Sequence, residues 1–281
     1  MDLEDSYTDI VLKAMNGNRL GRRGLCKAIS VDNKKLAAFL NGFWGENLAQ
    51  KICQKLNIDY QALRLIATEE DVWNGLQTLS KINLISTNFE MPGWGQASVN
   101  CYFIKIEPKK YILFDTGTQP SLLLDFLQKH TGTLEAIFIT HNHKDHIYGL
   151  AKISELVSPT KIYASENYLP IKTTKFVDGE TLIFGSVKVK FYKTPGHTTD
   201  GTSFFIGGLS QPVVITGDAI FAGSIGGVSP NNYKDALLNI REKILSLPNN
   251  AFILPGHGPI TTVGIEKKRN PFFATFFKLL K

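Results

Sequence analysis

Apolar positions along the chain follow two periods, and the change falls near residue 70. Before it, apolar residues recur at steps of three and four: Leu25 and Ile29; Leu36, Phe39 and Leu40; Leu48, Ile52 and Leu56; Leu63 and Ile66. That spacing lines one face of a helix. Glycines and polar residues interrupt it at 30–32, 42–45 and 57–59, so this part reads as a set of short helices. From Ile82 onward the apolar runs are short and rich in β-branched and aromatic residues: INLIST, VNCYFIKI, YILFDTG, AIFITH, KIYA, VKVKFYKT, TSFFIGG, PVVITGDAIF and AFILPGHG. Helical spacing returns between some of them, at 121–130, 146–156 and 233–246. Strands alternating with helices predict a layered α/β unit. The expected organisation is a helical unit over 1–75 and an α/β unit over 80–281, with the boundary inside ATEEDVWNGL.

Composition changes this picture little. An apolar fraction of 43% and a charged fraction of 20% suit a chain that buries a core. No run approaches the roughly 20 apolar residues a membrane span requires. The acidic start MDLEDSYTDI lacks the basic-then-apolar order of a secretion signal. Cys26, Cys53 and Cys101 lie far apart with no CxxC pair, and read as small hydrophobes in a reducing compartment. A cytoplasmic protein is the expectation. Of the net charge of +6, none belongs to the first part, which holds ten basic and ten acidic residues through Gly75. Much of the excess sits in the tail EKKRNPFFATFFKLLK.

The chemistry is concentrated. THNHKDH, residues 140–146, contains three of the six histidines. His197 in TPGHTTDG and His257 in LPGHGP each follow a Pro-Gly pair after an apolar run, at the tight end of a strand. Asp218 follows a glycine at the end of the run VVITG. These residues form two ligand sets: His141, His143 and His197; and Asp145, His146 and His257, with Asp218 able to reach both. Imidazoles and carboxylates without cysteine suit two divalent ions, zinc, iron or manganese, with a coordination position left open. His141 and His143, two apart on an extended loop, would share a face. His130 ends a helical run and is given no role. No Ser nucleophile elbow is present, since FGSVKV lacks its second glycine.

His141-Asn142-His143-Lys144-Asp145-His146 resembles the H-x-H-x-D-H motif of the metallo-β-lactamase superfamily, with His197, Asp218 and His257 following in that family's order. FDTG, residues 114–117, resembles its early aspartate motif, which makes Asp115 a loop-fixing group. The resemblance runs from about Ile82 to the C-terminus and implies an αββα sandwich with a dinuclear site at one edge. TPGHTTDG and PGHGPITTVGIEKKRNPFF look most like the glyoxalase II branch, which hydrolyses glutathione thioesters. Two features depart from that branch: GDAIFAGSIGGVSP after the aspartate, and the early stop after NPFF. The implied reaction is hydrolysis of a small acyl thioester by a hydroxide between two ions, with Asp145 and Asp218 orienting it and receiving its proton. The rival is persulfide oxidation at one iron held by His141, His197 and Asp218.

Residues 20–65 resemble the helix-turn-helix of phage-repressor-like proteins, with Val31 opening the second helix and Gly42 closing it. Asp32, Asn33 and Lys34 would start its recognition helix. Ser30 stands where that family usually has glycine, and the segment lacks the basic footprint that phosphate binding needs. The expectation is a helical module for homodimerisation or for packing on the α/β unit. A DNA-binding regulator with a metal-dependent sensor is the alternative from a different class.

Overall fold

The computed structural model describes residues 2–68, 79–91, 95–157, 161–165 and 171–279. Its first part is five short helices: α1 (Tyr7–Gly17), α2 (Arg22–Ile29), α3 (Asn33–Leu40), α4 (Glu46–Leu56) and α5 (Tyr60–Ala67). Their ends are set by local chemistry. Ser6 and Asp9 close a capping box on α1, and Asp32 and Asp59 accept from the backbone at the starts of α3 and α5. Ser30 and Asn57 end α2 and α4 in the left-handed conformation. Leu25, Leu36, Phe39, Ile52, Leu56 and Leu63 are fully buried, as the three-and-four spacing predicts. That spacing did not single out α1, whose Ile10, Val11 and Ala14 are buried as well.

Two sheets make up the rest. The first is built from β1 (Ile82–Met91), β2 (Gly95–Glu107), β3 (Lys110–Phe114), β4 (Thr133–Phe138) and β5 (Lys161–Tyr163), in that order. Its first three strands are antiparallel, and β3–β4–β5 are parallel. The helices α6 (Pro120–Lys129), α7 (Lys144–Ile147) and α8 (Leu150–Leu156) lie in its connections. The second sheet draws on β6 (Thr181–Phe184), β7 (Val187–Lys193), β8 (Thr202–Gly207), β9 (Val213–Gly217), β12 (Phe252–Pro255) and β13 (Thr261–Thr262). Its order is β13-β12-β9-β8-β7-β6. A small hairpin, β10 (Ile220–Phe221) and β11 (Ser224–Ile225), precedes α9 (Tyr233–Asn239), and α10 (Val263–Arg269) and α11 (Ala274–Leu279) close the chain.

Alternation along the strands makes the layers. Tyr102, Ile104, Ile112, Phe114 and Phe138 face the second sheet, where Val189, Phe191, Phe204, Ile215 and Leu254 meet them. Their neighbours Cys101, Phe103, Leu113 and Ile137 face outward onto Leu123, Leu127 and Ile153 of the helices. Val214 and Ile253, on the outer side of the second sheet, join a core with Ala236, Ile240 and Val263. The result is an αββα sandwich. That outer core also contains Tyr7, Ile10, Leu25, Phe39, Ile52 and Leu63, so the N-terminal helices pack on the α/β unit rather than apart from it. Polar contacts follow the same seam: Asp59 accepts from Thr275 and Lys278, and its backbone N–H donates to Pro271 O.

The predicted helix at 146–156 is two helices, because the chain turns at Tyr148 and Gly149 between α7 and α8. The one at 233–246 leaves α9 through a wide π-turn at Ile240–Ile244. The basic tail, for which no helix was predicted, folds into α10 and α11. Of the proposed boundary stretch, 67–76, Ala67 ends α5 and Thr68 caps it, and the remainder lies outside the described residues. Among the described residues no helix is long and apolar enough to cross a membrane.

Candidate metal centre

Loops at the strand ends carry the histidines to one place. His141 and His143 lie in the loop after β4, and α7 begins directly after His143. That single turn of helix swings Asp145 and His146 away from the pair before them. His197 follows β7, Asp218 follows β9, and His257 follows β12. All seven predicted residues converge in two groups, and in each the donor atoms lie within 4.8 Å of one another. The first group is His141, His143, His197 and Asp218; the second is Asp145, His146 and His257.

Asp218 reaches both groups. Its Oδ2 lies 3.4 Å from His197 Nε2, 3.9 Å from His141 Nε2 and 3.4 Å from His257 Nε2. Its Oδ1 is 3.3 Å from His146 Nε2. Asp145 Oδ2 is 3.3 Å from His257 Nε2 and 3.7 Å from His146 Nε2.

The outward ring nitrogens are fixed by other groups, which turns Nε2 toward the centre on four rings. His146 Nδ1 bonds Asp115 at 2.8 Å, His197 Nδ1 donates to Gly227 O at 2.7 Å, and His257 Nδ1 donates to Ser98 O at 2.6 Å. His141 Nδ1 pairs with the Thr140 hydroxyl at 3.0 Å. Carboxylate–histidine and carbonyl–histidine pairs of this kind orient metal ligands. His143 presents Nδ1 instead, 3.0 Å from His197 Nε2. Asp115 also accepts from the backbone N–H and the hydroxyl of Thr140, both at 2.8 Å, so it holds the loop as well as the ring. Sequence reasoning missed Thr140, although it opens the quoted motif. The Ser98 and Gly227 carbonyls carry no side-chain signal that could have revealed them.

Gly256 keeps the centre open. A Cβ there would stand 2.3 Å from Asp218 Oδ1 and 2.7 Å from His146 Cε1. His130, outside the site, caps α6 and packs on Phe126. Cys53 and Cys101 are buried, and all three cysteines are free.

The donor set fits divalent cations. His141 Nε2, His146 Nε2 and Asp218 Oδ1 are buried without a hydrogen-bond partner, which is costly unless a ligand satisfies them. Burial holds His141 and His197 below the usual imidazole range, so both stay neutral and able to ligate. Burial also disfavours charge on His146, but Asp218 and Asp115 outweigh it and push its proton affinity up to about 10. At His257 burial is again outweighed, by Asp218 and Asp145, and the ring is held well above its ordinary value. Burial opposes ionisation of Asp218 too, yet His257 and His146 keep it well below the carboxylate range.

These shifts give a signed expectation. The metal-free protein holds protons on His146 and His257 at neutral pH, and an entering cation must displace them. Metal loading at pH 7 will therefore release protons, read as a dependence of the calorimetric heat on buffer ionisation enthalpy. Between the ordinary histidine value of 6.5 and about 10, the native metal-free chain binds a proton at His146 that the unfolded chain does not. Its stability must fall as pH rises through that window. A metal-free melting temperature that is flat or rising there would refute the assignment.

A profile of the Metallo-beta-lactamase superfamily matches residues 94–257. The chain belongs to that superfamily. Among its relatives is a protein of Streptococcus pyogenes named "Probable metallo-hydrolase", 28% identical over 210 residues, covering 63% of this chain and 86% of that one. A hydroxyacylglutathione hydrolase of Prochlorococcus marinus is 29% identical over 161 residues, covering 56% of this chain and 64% of its own length. Among solved structures, the crystal structure of TTHA1623 in a di-iron-bound form aligns with a TM-score of 0.53 at 25% identity, covering 66% of this chain and 100% of that one. The chain thus carries, on this superfamily's fold, a His/Asp cluster compatible with divalent metals.

Proposed function

We propose that this metallo-β-lactamase-fold protein hydrolyses a small acyl thioester, hydroxyacylglutathione or a similar compound, at a centre for two divalent ions. The observation that carries this reading is the placement of Asp218 within 3.4 Å of donors from both groups. A carboxylate so placed serves a pair of cations better than one. Two ions there would supply hydroxide near neutral pH and a Lewis acid for the substrate carbonyl.

The chain's own residues do the rest. His141, His143 and His197 hold one side, Asp145, His146 and His257 the other, and Asp218 joins them. Asp115 and Thr140 fix the loop that presents His141 and His146. Asp145 is less buried than Asp218 and is kept ionised, against its burial, by His257 and His146. It is the carboxylate placed to take a proton from the attacking oxygen and pass it toward solvent. Thiolate is a good leaving group, so no separate acid is required for departure. The Prochlorococcus marinus relative supports the thioester class. The seven-donor set favours it over persulfide oxidation, which would need only His141, His197 and Asp218 and would leave the second group without a task.

A substrate panel tests the proposal: S-lactoylglutathione, an acyl thioester of a neutral thiol, glutathione persulfide with oxygen uptake, and a phosphodiester. The expected result is thioester turnover that disappears in Asp145→Ala. Oxygen consumption on persulfide without thioester turnover would contradict it.

A further inference from the structure

The N-terminal segment does more than cover apolar surface. Residues 2–13 run along an open cleft of about 820 Å³ whose opposite wall is the β1–β2 hairpin, through Asn88, Gln96 and Ser98. The cleft passes Gly258, directly after His257, and the Ser98 carbonyl accepts from that histidine. The approach is close. Gly258 has φ +71°, and a Cβ on it would stand 3.1 Å from the Glu4 backbone nitrogen and 3.3 Å from Glu4 Cβ. Further along, Lys13 Nζ lies 5.2 Å from the centre of the Phe221 ring, which meets the His257 ring edge-on at 5.7 Å. Helix α1 and its leading residues are therefore neighbours of the metal centre.

The charges along this wall are unequal. Asp5 is matched: it pairs with Lys13 and accepts from Ser224. Asp9 is used in the capping box with Ser6. Lys13 is already engaged by Asp5 and by the Ile225 carbonyl at 2.7 Å. Asp2 and Glu4 are exposed and have no ion pair among the described residues. A bound molecule whose reacting end lies at the metal centre and whose body extends into the cleft meets four acidic side chains, Asp2, Glu4, Asp5 and Asp9, against one basic one, Lys13.

We propose that residues 2–13 are part of the substrate site, and that Glu4, assisted by Asp2, selects ligands whose body is cationic over those whose body is anionic. Within the thioester class proposed above, this would favour the similar compound whose thiol portion is positively charged over the glutathione thioester, with its net negative charge. The helical unit is then a specificity element as well as a packing layer.

The test uses the full-length, metal-loaded protein as wild type, Glu4→Gln and Glu4→Lys. Thiocholine and glutathione are the probes for calorimetric binding, and acetylthiocholine and S-lactoylglutathione the probes for kcat/KM. Wild type should bind thiocholine about threefold more tightly than glutathione, because attraction between exposed, solvent-screened charges is weak. Glu4→Gln should shrink the ratio and Glu4→Lys should invert it, with metal content and thermal unfolding unchanged. The same ratio in all three proteins, tighter glutathione binding by wild type, or binding of neither thiol would overturn the proposal. A binding ratio that behaves as stated, without turnover of either thioester, would sink the reaction and leave the charge selection standing.

Discussion

Asp218→Ala should empty the metal centre and stop catalysis while the sandwich stays folded. This carboxylate lies within 3.4 Å of His197 and His257 and 3.3 Å of His146, and among the described residues no other carboxylate is paired with both donor sets. Without it, five imidazoles converge with only Asp145 to balance them. Metal content should fall from about two ions per chain to below one, since a two-metal centre needs a shared anion. The loss in kcat/KM should be on the order of a thousandfold or more, comparable to removing a principal electrostatic stabiliser. The side chain lies at the end of β9 and belongs to none of the apolar clusters, so circular dichroism should be preserved. Elemental analysis and kinetics on the same preparation check both parts. Full metal occupancy in the variant would show that Asp218 is not shared between ions.

Asp115→Ala should damage stability and metal affinity together. The residue is buried and makes three interactions at 2.8 Å, with the Thr140 N–H, the Thr140 hydroxyl and His146 Nδ1. Removing it leaves Thr140 and a buried imidazole without their partner. Breaking a buried charged contact of this kind costs about 3–5 kcal/mol. Loss of the group that orients a ligating histidine lowers metal affinity about 10–100-fold. Asp115→Asn keeps an acceptor for the Thr140 N–H, and should recover much of the stability but less of the metal affinity, because His146 still lacks an anion. Chemical denaturation of the metal-free variants separates the two effects. Equal metal affinity in Asn and wild type would show that the Asp115 charge does not act through His146.

Much of this was legible in the sequence, for reasons specific to each element. The strands could be read because both faces of each sheet are covered: Phe103, Leu113 and Ile137 point one way and Tyr102, Phe114 and Phe138 the other, so the runs are continuously apolar. β6 escaped notice because it lies at the sheet edge with its side chains half-exposed or exposed. The helices α10 and α11 were hidden by a tail whose charges dominate its composition, although Val263, Glu266 and Ala274 are buried. Of the centre, every titratable donor was visible, since histidines next to glycine turns are unusual enough to stand out. The parts that orient them were not, because Ser98 and Gly227 contribute backbone carbonyls that any residue could supply. The approach of Glu4 to Gly258 joins positions 254 residues apart and leaves no local trace.

The central claim is that seven side chains form one centre for two cations on which hydrolysis depends. Elemental analysis of the purified full-length protein, with thioester turnover measured on the same sample before and after chelation, addresses it most directly. Close to two transition-metal ions per chain, with activity lost on chelation and restored on reloading, is the predicted result. A metal-free sample with full activity would contradict it, and so would a fully active chain holding a single ion.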